Sequence, residues 1–168
     1  MANRNTVLDE GQPDRRPTGN RSRQTLVGVL VSRPLPAPDE SSEEYWDAAA
    51  RGELALPRCA ACRAFCMPPT AICPACGSTE ADYVWEQVGG AGVVRSWTVV
   101  RQPFLPGFAA EAPYVLVDVE LECQRGLRLI GRLVDGPTVT LALGARVSLT
   151  FEALPEGLAV PAFTLVRP

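Results

Sequence analysis

Four cysteines come in two matched pairs. Two residues separate Cys59 from Cys62 and Cys73 from Cys76, and ten residues lie between the pairs. Each Cys-x-x-Cys can turn two thiolates toward one point, and two such knuckles face to face make a tetrahedron of sulfur. A closed set of four leaves no position open to a substrate, so Zn2+ held there would be structural. Zinc binding of about 10–16 kcal/mol in comparable peptides would become folding energy for so short a segment. Cys66, between the knuckles, and Cys123 have no partner at this spacing, and both read as small buried hydrophobes. A rubredoxin-type iron site uses the same knuckles and is the less favoured alternative. A four-iron cluster fits worse, since Cys59-x2-Cys62-x3-Cys66 departs from the C-x2-C-x2-C run. Disulfides are disfavoured by the regular pairing and because the reading expects a cytoplasmic chain without an export signal.

What the chain lacks narrows its chemistry further. It has no histidine, and all sixteen of its basic residues are arginine. No imidazole can serve as general base, and no side-chain amine can form a Schiff base. Carboxylates, tyrosines and thiols are the only acid/base groups left. Charge is uneven as well. Residues 1–38 carry six arginines against three acids, whereas residues 39–168 carry ten against sixteen. A folded region with that acidic excess is a poor match for a phosphate backbone. No apolar run reaches the roughly 18 residues a membrane helix needs.

The elements that must position these groups can be read from periodicity. Residues 1–38 form a tail ending in a proline-stiffened strap, "SRPLPAP", without a periodic apolar face. A helix follows over 39–53, with Ser41 and Glu44 at capping-box spacing and Gly52 as its stop. Tyr45, Trp46, Ala49 and Ala50 would form its apolar stripe. Residues 54–82 carry the cysteine ribbon. After the cysteine segment the pattern changes to an alternation with a period of two. Strands are expected at 92–100, 114–123, 127–134, 146–152 and 159–166, with a hairpin turn at Gln124–Gly126. Gly131 and Gly144 would mark bends where the sheet turns a corner. Five short strands with little helix between them predict a mainly β chain whose C-terminal part, 83–168, is a partly open barrel of OB-fold type.

At this point the segments "YWDAAARGELALPRCAACRAFCMPPTAICPACGS", "GGAGVVRSWTVVRQPF", "PYVLVDVELE" and "GLRLIGRLVD" resemble the DUF35 family. The resemblance runs from about Arg33 to Phe163. It implies an N-terminal helix, a rubredoxin-like zinc ribbon and an OB-fold, with Cys59, Cys62, Cys73 and Cys76 as metal ligands. It also implies a small non-catalytic partner of thiolase-superfamily enzymes, such as thiolases or lipid-transfer-protein-type aldolases acting on acyl-CoA in sterol or aromatic catabolism. One departure stands out. A glycine often follows the second cysteine of each knuckle in that family; Gly77 follows Cys76 here, but Arg63 follows Cys62.

Candidate contact residues complete the reading. The segment "RQPFLPGFAAEAP" between the first two barrel strands is longer than a hairpin turn and presents Phe104 and Phe108 to a partner. Arg95, Arg128 and Arg132 project from strands and could meet CoA phosphates. Trp97 could stack a base if the barrel bound single-stranded nucleic acid, the least favoured of these functions.

Overall fold

The computed structural model describes residues 33–80 and 82–167. The tail expected over residues 1–38 therefore lies mostly outside the described residues. One helix and seven strands follow in chain order: α1 (Glu43–Ala50), β1 (Leu54–Cys59), β2 (Tyr83–Val88), β3 (Ala91–Val100), β4 (Tyr114–Leu121), β5 (Arg128–Leu133), β6 (Arg146–Ala153) and β7 (Ala159–Leu165). No helix among the described residues is long and apolar enough to cross a membrane.

Helix α1 is started differently from the expected capping box. The N-cap is Ser42, whose side chain bonds Asp39 rather than a free helical N–H. Asp39 meanwhile accepts the Ser42 and Glu43 amides on its own carbonyl. The two serines beside it, Ser42 foremost, hold the Asp39 carboxyl below the usual range. Gly52 ends the helix as expected, at φ +77°, with its amide on Ala49 O and the Glu53 amide on Ala48 O. The buried face is Tyr45, Ala48 and Ala49. Ala50, expected on that stripe, is exposed, because the first residue of the stripe, Tyr45, sets a face that Ala48 and Ala49 complete at i+3 and i+4. Trp46 packs edge-on against Tyr45 and lies partly buried on the core.

Burial pushes the Tyr45 phenol up to about 12 from 10.0. A folded-state value raised above the unfolded one leaves its stabilisation complete below pH 10 and removes it as pH climbs toward 12. The loss expected across that window is roughly 2–3 kcal/mol. Urea titrations at pH 9 and pH 11.5 should show it in the wild type. The same loss should be absent in Tyr45→Phe.

Strands β1 and β2 pair antiparallel from Leu54↔Val88 to Cys59↔Tyr83. The sequence reading placed no strands here, yet this two-stranded sheet is the stem of the cysteine ribbon. Beyond it, β3 to β7 close into a barrel in the order β3-β4-β5-β7-β6. All contacts are antiparallel except the β5–β7 seam, where Arg132 meets Ala162 and Leu133 meets Phe163 in parallel. This is the mainly β, five-stranded architecture that the alternation predicts, with the barrel closed rather than partly open. Val115, Val117, Val119 and Leu121 of β4 all point inward and are buried, as the period of two requires.

Three details differ from the reading. Strand β4 ends at Leu121, so Cys123 lies in the following turn and is exposed rather than buried. The turn is consequently longer than three residues, and the Leu121 amide closes it on Leu127 O. Gly131 marks no bend. It sits within β5 where a Cβ would lie 2.7 Å from Pro161 O and 2.9 Å from the Phe163 ring, so only hydrogen fits there. Gly144, at φ +79°, does form a turn.

One apolar cluster joins the parts. Tyr45, Leu54, Leu56 and Phe65 belong to the same core as Val94, Val117, Val119, Leu133, Val147 and Phe163. Gln124 adds a polar tie, accepting the Phe65 amide at 2.8 Å and donating to Phe65 O at 2.9 Å. The ribbon thus sits on the barrel through a side chain that imitates a strand neighbour.

Candidate metal centre

The knuckles are two copies of one turn. Cys59, the last residue of β1, accepts the Arg63 amide on its carbonyl at 2.9 Å; Cys73 accepts the Gly77 amide at 2.8 Å. Both turns close through a left-handed residue, Arg63 at φ 65° and Gly77 at φ 74°. Glycine takes that conformation freely, whereas a side chain there costs about 1–2 kcal/mol. So Arg63 gives the first knuckle the same shape as the second, with strain. Its guanidinium reaches Glu86 Oε2 at 3.2 Å, and Arg58 meets Glu86 at 2.8 Å and covers the Phe65 ring at 4.9 Å. Arg58, first, and then Arg63 keep the Glu86 carboxyl below its ordinary range.

The sulfurs of Cys59, Cys62, Cys73 and Cys76 all lie within 4.8 Å of one another. A tetrahedron with metal–sulfur bonds near 2.3 Å has edges of about 3.8 Å, and the Cys62–Cys73 edge is 3.7 Å. Cys59 and Cys73 are buried while Cys62 and Cys76 face solvent. One half of the tetrahedron is therefore set against the protein and the other half capped only by the loops.

Backbone amides aim at the set. The Cys76 amide, then that of Ala75, draws the Cys73 thiol down to about 6 from 9.0. Cys62 also meets a backbone amide, from Ala64, but desolvation and the sulfurs of Cys76, Cys73 and Cys59 outweigh it and push the thiol up to about 11. Four thiols this close cannot all ionise without a cation, and the donor set fits a thiophilic ion of tetrahedral preference. The four sulfurs thus form a closed site able to hold a structural metal.

Cys66 is not one of the four. It is buried, its Sγ 3.9 Å from that of Cys73, and its thiol is raised first by desolvation and then by Cys73. It packs against Tyr83, and the Tyr83 hydroxyl donates to Thr70 O at 3.1 Å.

The remaining candidates are dispersed. Phe104, in the segment between β3 and β4, is 98 % exposed, and its neighbour Leu105 is exposed as well. Phe108 is not free: it tilts against Tyr114, and the Arg33 guanidinium covers its ring at 4.8 Å. Arg95 and Arg128 each face an acid on β4, Glu120 at 3.7 Å for the first and Asp118 for the second. Arg132 pairs with Glu111 and Glu152 and lies over Tyr114. Trp97 lies opposite Val117 on the inward side of β3 and remains 41 % exposed. The pairing with β6 covers only Ala91–Val93, which leaves that end of β3 open.

The sequence reading missed one cluster. Arg33 bonds both Glu111 and Glu152, with Nη1 to Glu152 Oε1 at 2.7 Å, and with Arg132 it makes a four-charge network. Its members are 78 and 119 residues apart in sequence, and no local pattern announces such a meeting.

Comparisons with known proteins bear on the whole arrangement. A family model described as the ChsH2 rubredoxin-like zinc ribbon domain matches residues 46–81, and one described as the ChsH2 C-terminal OB-fold domain matches residues 85–152. The chain is 39 % identical over 144 residues to a probable enoyl-CoA hydratase alpha subunit of Thermomonospora curvata, a match spanning 85 % of this chain and 43 % of that protein. It thus covers less than half the length of that relative. It is 32 % identical over 100 residues to a DUF35 domain-containing scaffold protein of Methanocaldococcus jannaschii, across 59 % of this chain and 67 % of the relative. Among solved structures, a chain of the Ltp2-ChsH2(DUF35) aldolase superposes with a TM-score of 0.66 at 34 % identity, over 78 % of this chain and 98 % of that one. With ribbon, barrel and sequence in agreement, the chain belongs to the DUF35 family.

Proposed function

We propose that this chain is a non-catalytic accessory subunit that binds a thiolase-superfamily enzyme acting on acyl-CoA and stabilises or shapes its active site. The observation that carries the reading is the likeness, over 78 % of this chain and 98 % of the other, to a chain of a solved aldolase named for two components, Ltp2 and ChsH2. A chain without histidine or lysine is poorly equipped for carbon–carbon chemistry, and the partner would supply nucleophile and base. Zn2+ held by Cys59, Cys62, Cys73 and Cys76 would serve as scaffold.

The contact surface assigned to the partner is the segment between β3 and β4. An isolated phenylalanine almost fully in water, beside an exposed leucine, suits a pocket on another protein better than it suits solvent. Co-expression with a thiolase-like protein encoded beside this gene should yield a co-purifying complex. Phe104→Asp should weaken that complex at least tenfold while leaving the fold intact. A partner that never co-purifies and is fully active alone would remove the proposal. Direct acyl-CoA binding by the isolated chain is the weaker reading, since Arg95, Arg128 and Arg132 are each committed to carboxylates.

A further inference from the structure

Alternation on the barrel breaks at three outward positions. Leu116 of β4 and Ile130 of β5 stand on the face that elsewhere carries Asp118, Glu120 and Arg128, and Val160 of β7 lies opposite Glu152. An apolar residue on a solvent face is ordinary when solitary. These three come together, and Leu35 and Pro36 of the strap pass over them with Phe108 at one side. The strap does not fill the space beneath it. A slot of about 450 Å³ remains between strap and barrel wall, within the 300–1,000 Å³ typical of small-molecule sites. Protein surfaces that exist only to pack against one another close to interior density.

The charges at its rim restrict what could enter. Arg33 and Arg132 stand there, but both are matched by Glu111 and Glu152, so two cations meet two anions and no net charge is offered. The same network fixes one end of the strap, for Arg33 is tied to Glu152 on β6 and stacked on Phe108. The other end runs into α1. The opening is therefore a slot with two walls rather than a flat face, suited to a thin guest.

We propose that the slot between strap and barrel binds an uncharged, mainly apolar small molecule, a ring system or short hydrocarbon chain. Ile130 and Leu116 form its floor and the Arg33 network latches its lid. The site is separate from the metal centre, and Phe104 is not among its lining residues although Phe108 of the same segment borders it; it needs no partner enzyme.

The test uses the full-length, zinc-loaded chain and N-phenyl-1-naphthylamine, an uncharged probe that brightens in apolar surroundings. One probe per chain should bind saturably. Ile130→Asp, at a position 63 % exposed and so tolerant of charge, should weaken binding at least tenfold. Leu116→Trp, which fills the slot, should abolish it. Ile72→Asp, equally exposed but on the ribbon, should leave it unchanged. Absence of saturable binding, or binding untouched by Ile130→Asp and Leu116→Trp, overturns the proposal. So does binding that appears only once residues 1–32 are deleted, which would assign the slot to the chain's own apolar stretch Thr25–Val31.

Discussion

Replacing Cys73 by serine should reduce bound zinc from one per chain to none, measured by native mass spectrometry on protein purified in zinc. Cys73 is buried, 3.7 Å from Cys62, and supplies a thiolate whose ionisation the backbone amides of Cys76 and Ala75 favour. A hydroxyl in its place is neutral and hard, and three sulfurs do not close a structural site. The binding energy forfeited is on the order of 10–16 kcal/mol, more than a β-stem of two six-residue strands can replace. Amide exchange should therefore accelerate most across β1, both knuckles and β2, and to a smaller extent in the barrel that shares their core. Cys66→Ser is the informative contrast. It removes a buried sulfur equally near Cys73 but outside the four, and should keep the metal at full occupancy with only a modest loss of stability. Equal metal loss in both variants would mean that the four-sulfur set is wrongly assigned.

The second large effect is expected at Phe163. Its side chain is fully buried, and it stands where the barrel closes. It opposes Leu133 across the parallel seam and Leu149 across the antiparallel one, and its carbonyl accepts the Val134 amide at 2.9 Å. Gly131 leaves the room the ring occupies. Truncation to alanine removes a whole ring from a seam only two register pairs long, and the expected cost is about 3–5 kcal/mol in the urea midpoint analysis. Gly131→Ala should also destabilise, by about 1–3 kcal/mol, because its new methyl group would meet the Pro161 carbonyl as well as the ring. A Phe163→Ala variant within 1 kcal/mol of wild type would show that the seam is not where barrel closure is held.

Which of these features could be read in advance follows from how local their causes are. The barrel strands announce themselves, since inward valines and leucines alternate with acids and arginines over six to ten residues. The convergence of four sulfurs is equally local, fixed by two short turns. Strands β1 and β2 escaped because their burial does not alternate cleanly and they are joined across the knuckles rather than by a tight turn. The available signal for β2 was its content of Tyr83, Val84, Trp85 and Val88, residue types that favour strands, without a clean alternation. Cys123 was misjudged by extending β4 two residues beyond its last ladder partner, Leu121. Alternation gives a strand's face but not its end. The slot and its arginine latch have no local cause at all: Leu116 and Ile130 are single breaks in the alternation, and only the strap crossing them makes them one surface.

The single apolar cluster running from Tyr45 through Leu54 and Phe65 to Phe163 has a thermodynamic corollary. Residues that share one core gain or lose their order in concert. The ribbon and the barrel are thus one cooperative unit despite their separate topologies. An ion clasped at one pole then raises the melting temperature of a ring at the other that it never touches.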